Sequence, residues 1–236
     1  MTKLKKLNNL LYLCSIKNYK IFVLTYEKER EELIDNLSEK GISDIFVLKA
    51  MREVERHKFV PKAMRHHAYK DIALPIGFGQ TISQPYTVAY MTQALRLRKK
   101  SRILEIGTGS GYQAAILEKM GMEVFSIERN MDLYLKTRKL LDELGLRIHS
   151  KCGDGTIGWE EFAPYDGIIV TAGSPMIPVS LKKQLAIGGK LVIPVGDKQS
   201  QMLKIITKLE SDNFNIEDIP EFSFVPLIGR EGWNQK

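Results

Sequence analysis

The sequence predicts an α/β protein, with a doubly wound, mostly parallel sheet of seven strands following a helical N-terminal part. Two observations carry that expectation. From Arg102 onward, short apolar runs alternate with segments of helical apolar spacing. Between the first such strand and the first such helix, Gly107, Gly109 and Gly111 release the backbone into a tight turn, the opening of a βαβ unit. Ligands of such sheets sit at the carboxyl ends of the strands.

Each element has its own signal. Tyr26 to Lys40 reads as a charged amphipathic helix with Leu33, Ile34 and Leu37 inward and Gly41 as its stop. Ser43 is placed to cap a second helix, whose Phe46, Val47, Ala50, Met51 and Val54 form one stripe. Phe59-Val60-Pro61 closes that segment, and Tyr69 to Gln80 reads as irregular loop. Pro85 suits the first turn of a third helix burying Val88, Met91 and Leu95. The strand at 102–107, helix at 111–120, strand at 123–128 and helix at 131–144 then follow, the last closed by Gly145. A strand near 147–152, a buried strand from Tyr165 to Thr171 and a helix from Pro178 to Leu185 come next. Lys190 to Val195, Met202 to Leu209 and Phe222 to Val225 complete the strands.

Composition sets the bounds. At 236 residues, with 44% hydrophobic and 27% charged, the chain suits one sizeable core. Its formal charge of +7 is concentrated at one end. Residues 1–24 hold five lysines and no acid, and the rest carries thirty basic against twenty-eight acidic side chains. A nucleic-acid-binding domain would show its excess on the folded body, so no nucleic-acid partner is expected. Within residues 1–24 the apolar runs are too short for a membrane span and lack a small-residue cleavage site, so this segment reads as a flexible basic extension. Residues 25–236 read as a single domain, with 25–80 the helical and loop part and 81–236 the core and C-terminal strands. Cys14 and Cys152 make neither a metal spacing nor a disulfide framework, and the adjacent His66 and His67 point to no metal site. Free thiols imply a reducing compartment, hence a cytoplasmic protein.

The chemistry concentrates at Glu105-Ile106-Gly107-Thr108-Gly109-Ser110-Gly111. A dinucleotide motif is met loosely by Gly109-Ser110-Gly111-Tyr112-Gln113-Ala114, whereas an acid two residues before the first glycine suits S-adenosylmethionine directly. Charge separates the two. Glu105 would repel a pyrophosphate and attract the ammonium and sulfonium of the methyl donor, so the methyl donor is favoured. Glu128 ends the second strand at the spacing where a carboxylate meets ribose hydroxyls.

Further segments are Gly79-Gln80-Thr81-Ile82-Ser83-Gln84-Pro85, Cys152-Gly153-Asp154-Gly155-Thr156-Ile157-Gly158-Trp159, Ala163-Pro164-Tyr165-Asp166-Gly167-Ile168-Ile169-Val170-Thr171-Ala172, Leu191-Val192-Ile193-Pro194-Val195-Gly196 and Phe224-Val225-Pro226-Leu227-Ile228-Gly229. With these in order, the chain resembles the protein-L-isoaspartate O-methyltransferase family over Tyr26 to Trp233. The resemblance implies a class I, Rossmann-like, seven-stranded methyltransferase fold using S-adenosyl-L-methionine. It also implies action on isoaspartyl residues of damaged proteins and peptides; separately, a monomer is expected. It assigns catalysis to Ser83, within a loop that includes Thr81 and Ile82; by residue type alone, Ser83 before Pro85 reads as a helix cap. It places Glu105, Gly107, Gly109 and Gly111 at the methionine end of the cofactor, Glu128 at the ribose, and Asp154 and Gly155 at the adenine. Val225 to Ile228 would border the substrate cleft, Ile228 standing where some relatives carry threonine.

The expected chemistry needs no protein base. The α-carboxyl of an isoaspartyl residue, with a pKa of about 3.5, is already ionised at neutral pH. Rival readings are a small-molecule or RNA methyltransferase on the same fold and a catalytically silent S-adenosylmethionine-binding module.

Overall fold

The computed structural model describes residues 26–234; the basic segment 1–24 lies outside them. A helix spans 26–39 (α1), followed by α2 (Ile45–Glu53) and two short 3-10 turns, Arg56–Phe59 and Lys62–His67. Next come a hairpin of β1 (Leu74–Gly77) and β2 (Gln80–Ile82), then α3 (Pro85–Ala94). The remaining elements are β3 (Arg102–Ile106), α4 (Tyr112–Lys119), β4 (Glu123–Glu128), α5 (Met131–Glu143), β5 (Ile148–Cys152), β6 (Tyr165–Val170), α6 (Val179–Lys183), β7 (Leu185–Gly196), β8 (Gln201–Lys208) and β9 (Phe214–Phe222).

The central sheet has seven strands in the order β5-β4-β3-β6-β7-β8-β9. Those from β5 to β7 are parallel; β8 runs antiparallel to both β7 and β9. From β3 the chain winds outward to β5 and then returns beside β3 as β6. That reversal opens a crevice at the carboxyl ends of β3, β4 and β6.

Side-chain alternation divides the core. Leu104, Ile106, Phe125, Ile127, Ile168 and Val170 face the layer containing Leu181 of α6. Ile103, Val124, Ile169 and Val192 face Met91 of α3 and Ala114 and Leu117 of α4. Burying each such Ile, Leu or Val stabilises the fold by roughly 1.5–3 kcal/mol. The N-terminal helices form a third cluster, in which Leu37, Val47 and Met51 pack with Tyr112 and Ile116 of α4. The helical part is thereby seated directly over the glycine turn.

Several elements differ from the sequence expectation. Asp44, not Ser43, caps α2: its Oδ1 accepts from the Phe46 N–H at 2.9 Å and the Val47 N–H at 3.3 Å. The Ser43 N–H donates to Gln93 Oε1 at 2.7 Å, tying α2 to α3. Phe46 is 65% exposed, so the buried stripe is Val47, Ala50, Met51 and Val54. The expected loop at 69–80 contains β1 and part of β2, so the 80/81 division cuts the hairpin. Its two-residue turn places both Phe78 (φ 56°) and Gly79 (φ 69°) in the left-handed region, as the twist of a tight hairpin demands. The α6 helix is only five residues long, and Leu185 already belongs to β7. The last strand is Phe214–Phe222, not Phe222 to Val225. Its Asn215, Glu217, Asp218 and Pro220 suit a sheet edge and disguise it as loop.

Candidate active site

The crevice at the carboxyl ends of β3, β4 and β6 holds a cavity of about 250 Å³. Thr81, Ile82, Ser83, Glu105, Gly107, Gly109, Glu128 and Gly155 all line it. Eight residues that the sequence singles out, from four segments, thus meet in one place. Gly111 and Asp154 do not line it.

Gly107 adopts φ 94°, and a Cβ there would stand 2.5 Å from Thr171 Oγ1. That hydroxyl donates toward the carbonyls of Gly107 (2.7 Å) and Ile106 (3.1 Å), fixing the turn from the end of β6. Gly111 serves packing: a Cβ would meet Thr137 Cγ2 at 2.9 Å and Leu141 Cδ2 at 3.0 Å, so it lets α4 approach α5. Asp154 anchors the C-terminal segment. Its Oδ1 accepts from the Thr156 N–H and hydroxyl at 2.9 and 2.7 Å, its Oδ2 from the Arg230 N–H at 2.8 Å. Burial works against ionisation there, but the Arg230 and Thr156 donors hold the carboxyl below its ordinary range.

The two glutamates at the turn are unlike. Glu128 accepts from the Gly109 N–H and the Asn130 N–H, each at 2.9 Å, so it orders the glycine turn and the start of α5. Glu105 is fully buried. Its Oε2 accepts from the Ser126 hydroxyl, the neighbour in parallel register on β4, while Oε1 is buried without a hydrogen-bond partner. Burial pushes its carboxyl up to about 8; the Glu128 charge adds to this, and the Ser126 hydroxyl and Ala114 N–H oppose it. The Glu128 carboxyl and an ionisable Glu105 with an oxygen to spare fit a cationic nucleoside, whose charge would favour the ionised form of Glu105, whereas a pyrophosphate would only oppose it. This arrangement sharpens the choice of the methyl donor over a dinucleotide.

The opposite question concerns Ser83. It lies between β2 and α3, and the residue capping α3 is Gln84, with no side-chain cap. Ser83 is thus in the cavity wall without serving as a cap. The segment Val225 to Ile228 also lines the cavity. It is held by the Gly173 N–H donating to Val225 O (2.7 Å) and the Leu227 N–H donating to Gly173 O (2.8 Å). Sequence reasoning missed Phe78, Tyr112 and Gln113 as lining residues, along with Thr171 as the brace of the turn. Tyr112 and Gln113 adjoin the glycine motif and could have been found there; Phe78 needed the hairpin. The His66 and His67 rings lie tilted by 49° with centroids 3.8 Å apart, and among the described residues no group of three His, Cys, Asp or Glu is placed to hold a metal ion. No helix among the described residues is long and apolar enough to cross a membrane.

Residues 28–232 match the family model for protein-L-isoaspartate(D-aspartate) O-methyltransferase (PCMT). The chain belongs to that family. Among its relatives, the protein-L-isoaspartate O-methyltransferase of Chlorobaculum tepidum is 54% identical over 207 residues, covering 87% of this chain and 97% of that one. The enzyme of the same name from Cytophaga hutchinsonii is 49% identical over 207 residues, covering 88% and 94%. A solved protein-L-isoaspartate O-methyltransferase superposes with a TM-score of 0.80 at 31% identity, over 86% of this chain and 67% of that one. A Plasmodium falciparum structure assigned to the same enzyme class, in complex with S-adenosyl-L-homocysteine, superposes with a TM-score of 0.73 at 27% identity, over 84% and 98%. The class I methyltransferase fold expected from the sequence is therefore the fold of the PCMT relatives, and the seven-stranded sheet carries it.

Proposed function

We propose that this PCMT-family chain transfers a methyl group from S-adenosyl-L-methionine to the free α-carboxylate of L-isoaspartyl residues in proteins and peptides. The observation that carries the reading is the convergence of the Thr81-Ile82-Ser83 loop and the Glu105 to Gly109 turn on one cavity in a chain of this family. S-adenosyl-L-methionine supplies an electrophilic methyl on a sulfonium. Glu105 and the turn at Gly107 and Gly109 would hold its methionine end, Glu128 the ribose and Gly155 the adenine side. Asp154 acts from behind by pinning Arg230, and Gly111 by letting α4 pack close.

Ser83 would orient the substrate carboxylate by hydrogen bonding. No base is called for, because that carboxylate is ionised well below neutral pH, at about 3.5. Positioning reacting groups can by itself contribute about 7–11 kcal/mol. The ester product leaves more readily than the carboxylate, so the adjacent amide nitrogen closes a succinimide with loss of methanol. Hydrolysis of that ring returns part of the chain to normal aspartate. The charge excess, concentrated in residues 1–24, supports a protein substrate over a nucleic acid, and the reading includes a monomer working in the cytoplasm.

Labelled methyl transfer to an isoaspartyl peptide and to its normal-aspartate twin tests the assignment. The isoaspartyl peptide is expected to be methylated and its twin left almost untouched. Equal rates on the two, or transfer to RNA instead, would reject it.

A further inference from the structure

Arg56 has no part in the chemistry so far, yet it is fully buried immediately behind the Ser83 loop. Its Nε donates to Ala68 O at 2.8 Å and its Nη2 to Ser83 O at 2.8 Å, with Ile72 O further off at 3.4 Å. Nη1 is buried without a hydrogen-bond partner. The guanidinium carbon stands 4.8 Å from the ring centroid of Tyr112, which lines the cavity from the first turn of α4. Among the described residues Arg56 forms no ion pair. The acid in its surroundings, Asp71, is engaged by Lys40 Nζ at 2.7 Å and by the Tyr86 N–H at 2.8 Å.

A buried cation without an ion pair is costly, and carbonyl oxygens with the ring and hydroxyl of Tyr112 compensate it only in part. Holding three carbonyls explains the hydrogen bonds but not the charge, because neutral donors could make them. A guanidinium remains protonated across the physiological range, so its field is permanent. One residue away, the cavity must take an anion if the proposed function holds.

We propose that Arg56 is a positioning residue whose buried charge makes the Ser83 wall of the cavity selective for an anionic group, the α-carboxylate of the substrate. Arg56 reaches that group through the Ser83 carbonyl and the loop it holds, not by contact. The inference rests on the isoaspartyl reading above. It also predicts a division of effects: the charge governs affinity for the carboxylate, whereas the hydrogen bond to Ser83 governs how well the loop is aligned for transfer.

The test is calorimetric binding of an isoaspartyl peptide and its α-carboxamide analogue to the protein loaded with S-adenosyl-L-homocysteine, for wild type, Arg56→Lys and Arg56→Met. Wild type should prefer the carboxylate by about ten-fold or more, as one charge acting through protein would give. Arg56→Met should lose most of that preference. Arg56→Lys, keeping the charge with fewer donors, should hold the preference within about three-fold of wild type while kcat falls. Absence of the preference in wild type, its loss in folded Arg56→Lys, or its survival in folded Arg56→Met would each overturn the proposal. Where Arg56→Met does not fold, Arg56→Gln, which keeps amide donors without the charge, takes its place and should likewise lose most of the preference; its survival there would overturn the proposal. A merely structural role would lower the folded fraction and leave the preference unmoved. Failure of wild type to methylate the isoaspartyl peptide would instead remove the functional reading itself.

Discussion

Glu105 and Arg56 are each 0% exposed and each keeps one polar atom without a partner, yet they sit in different parts of the molecule and one is an acid, the other a base. Glu105 belongs to the sheet, in register with Ser126, and faces the cavity at the glycine turn. Arg56 belongs to the helical part and stands behind the Ser83 loop. The acid can discard its charge: burial raises its carboxyl to about 8, which leaves it largely neutral at pH 7 unless a cation adjoins it. The guanidinium cannot. A cation arriving at the first wall can therefore recruit an ionised Glu105, whereas the field at the second wall is there beforehand. The difference suits a site that takes one cationic and one anionic ligand side by side.

The largest effect expected tests the geometry on which the acidic wall depends. Gly107→Ala puts a Cβ 2.5 Å from Thr171 Oγ1 at a residue with φ 94°. The strain alone should cost roughly 1–3 kcal/mol. Because the turn must move off the Thr171 brace, cofactor affinity should fall by about a hundred-fold or more, or roughly 2.7 kcal/mol. Thermal unfolding and calorimetry with S-adenosyl-L-methionine measure the two losses separately.

The next effect separates the acid from the base. Folding raises the proton affinity of Glu105 above its ordinary 4.5, so the folded protein holds more protons than the unfolded one between there and about 8. Its favourable contribution is complete below the ordinary value and is lost as pH rises through the folded value. Glu105→Gln, neutral throughout, should therefore melt progressively higher than wild type as the pH is taken from 5 to 8 without cofactor. The same substitution should weaken S-adenosyl-L-methionine binding by about ten-fold or more, since a charge-assisted contact is worth roughly 1.5–3 kcal/mol. Wild type should release a proton on binding, seen as a buffer-dependent enthalpy; Glu105→Gln should not.

The contrast also marks what could be read from the chain. Glu105, Gly107, Gly109 and Glu128 were legible because a local spacing puts them at one turn. Ser83 was legible only through family resemblance, since residue type alone favours a cap. Arg56 was not legible at all: its position behind Ser83 depends on segments at 56, 68–72 and 83 closing on one another. The same holds for the hairpin, whose turn carries Phe78 where Asn or Gly would have announced it. The sheet interior followed from apolar runs, while the edge strand Phe214–Phe222 was hidden by charge and proline. Gly111 and Asp154 lay in the right motifs but support the site from outside the cavity. Motif membership fixes neighbourhood, and only packing decides which side chain faces the ligand.

A smaller effect probes the loop between the two walls. Ser83→Ala should lower kcat by about ten- to a few hundred-fold, the loss of one hydrogen bond to a charged group. Affinity for S-adenosyl-L-methionine should stay near wild type, because the turn and both glutamates are untouched. The wild-type kcat/KM profile should show no enzyme base titrating near pH 6.5. Full activity in Ser83→Ala would leave the residue as a spacer in the wall.

The smallest effect concerns Phe78, at the mouth of the cavity and beside neither buried charge. It is 48% exposed and adopts φ 56°, a conformation that a bulky side chain tolerates poorly and asparagine readily accepts. The Lys136 Nζ reaches Ile76 O at 3.2 Å and lies 6.0 Å from the Phe78 ring centroid, which steadies the hairpin without requiring the aromatic. Phe78→Asn should therefore raise stability slightly, by about 1 kcal/mol, the lower end of the range for backbone strain. If the ring serves as an apolar platform for residues flanking the isoaspartate, the same variant should raise peptide KM a few-fold, most for apolar flanks. Cofactor affinity and the preference for carboxylate over carboxamide should not change, because neither Glu105 nor Arg56 has moved. A gain in stability with no change in KM would assign the strain at Phe78 to the hairpin alone, and leave recognition to the two charged walls.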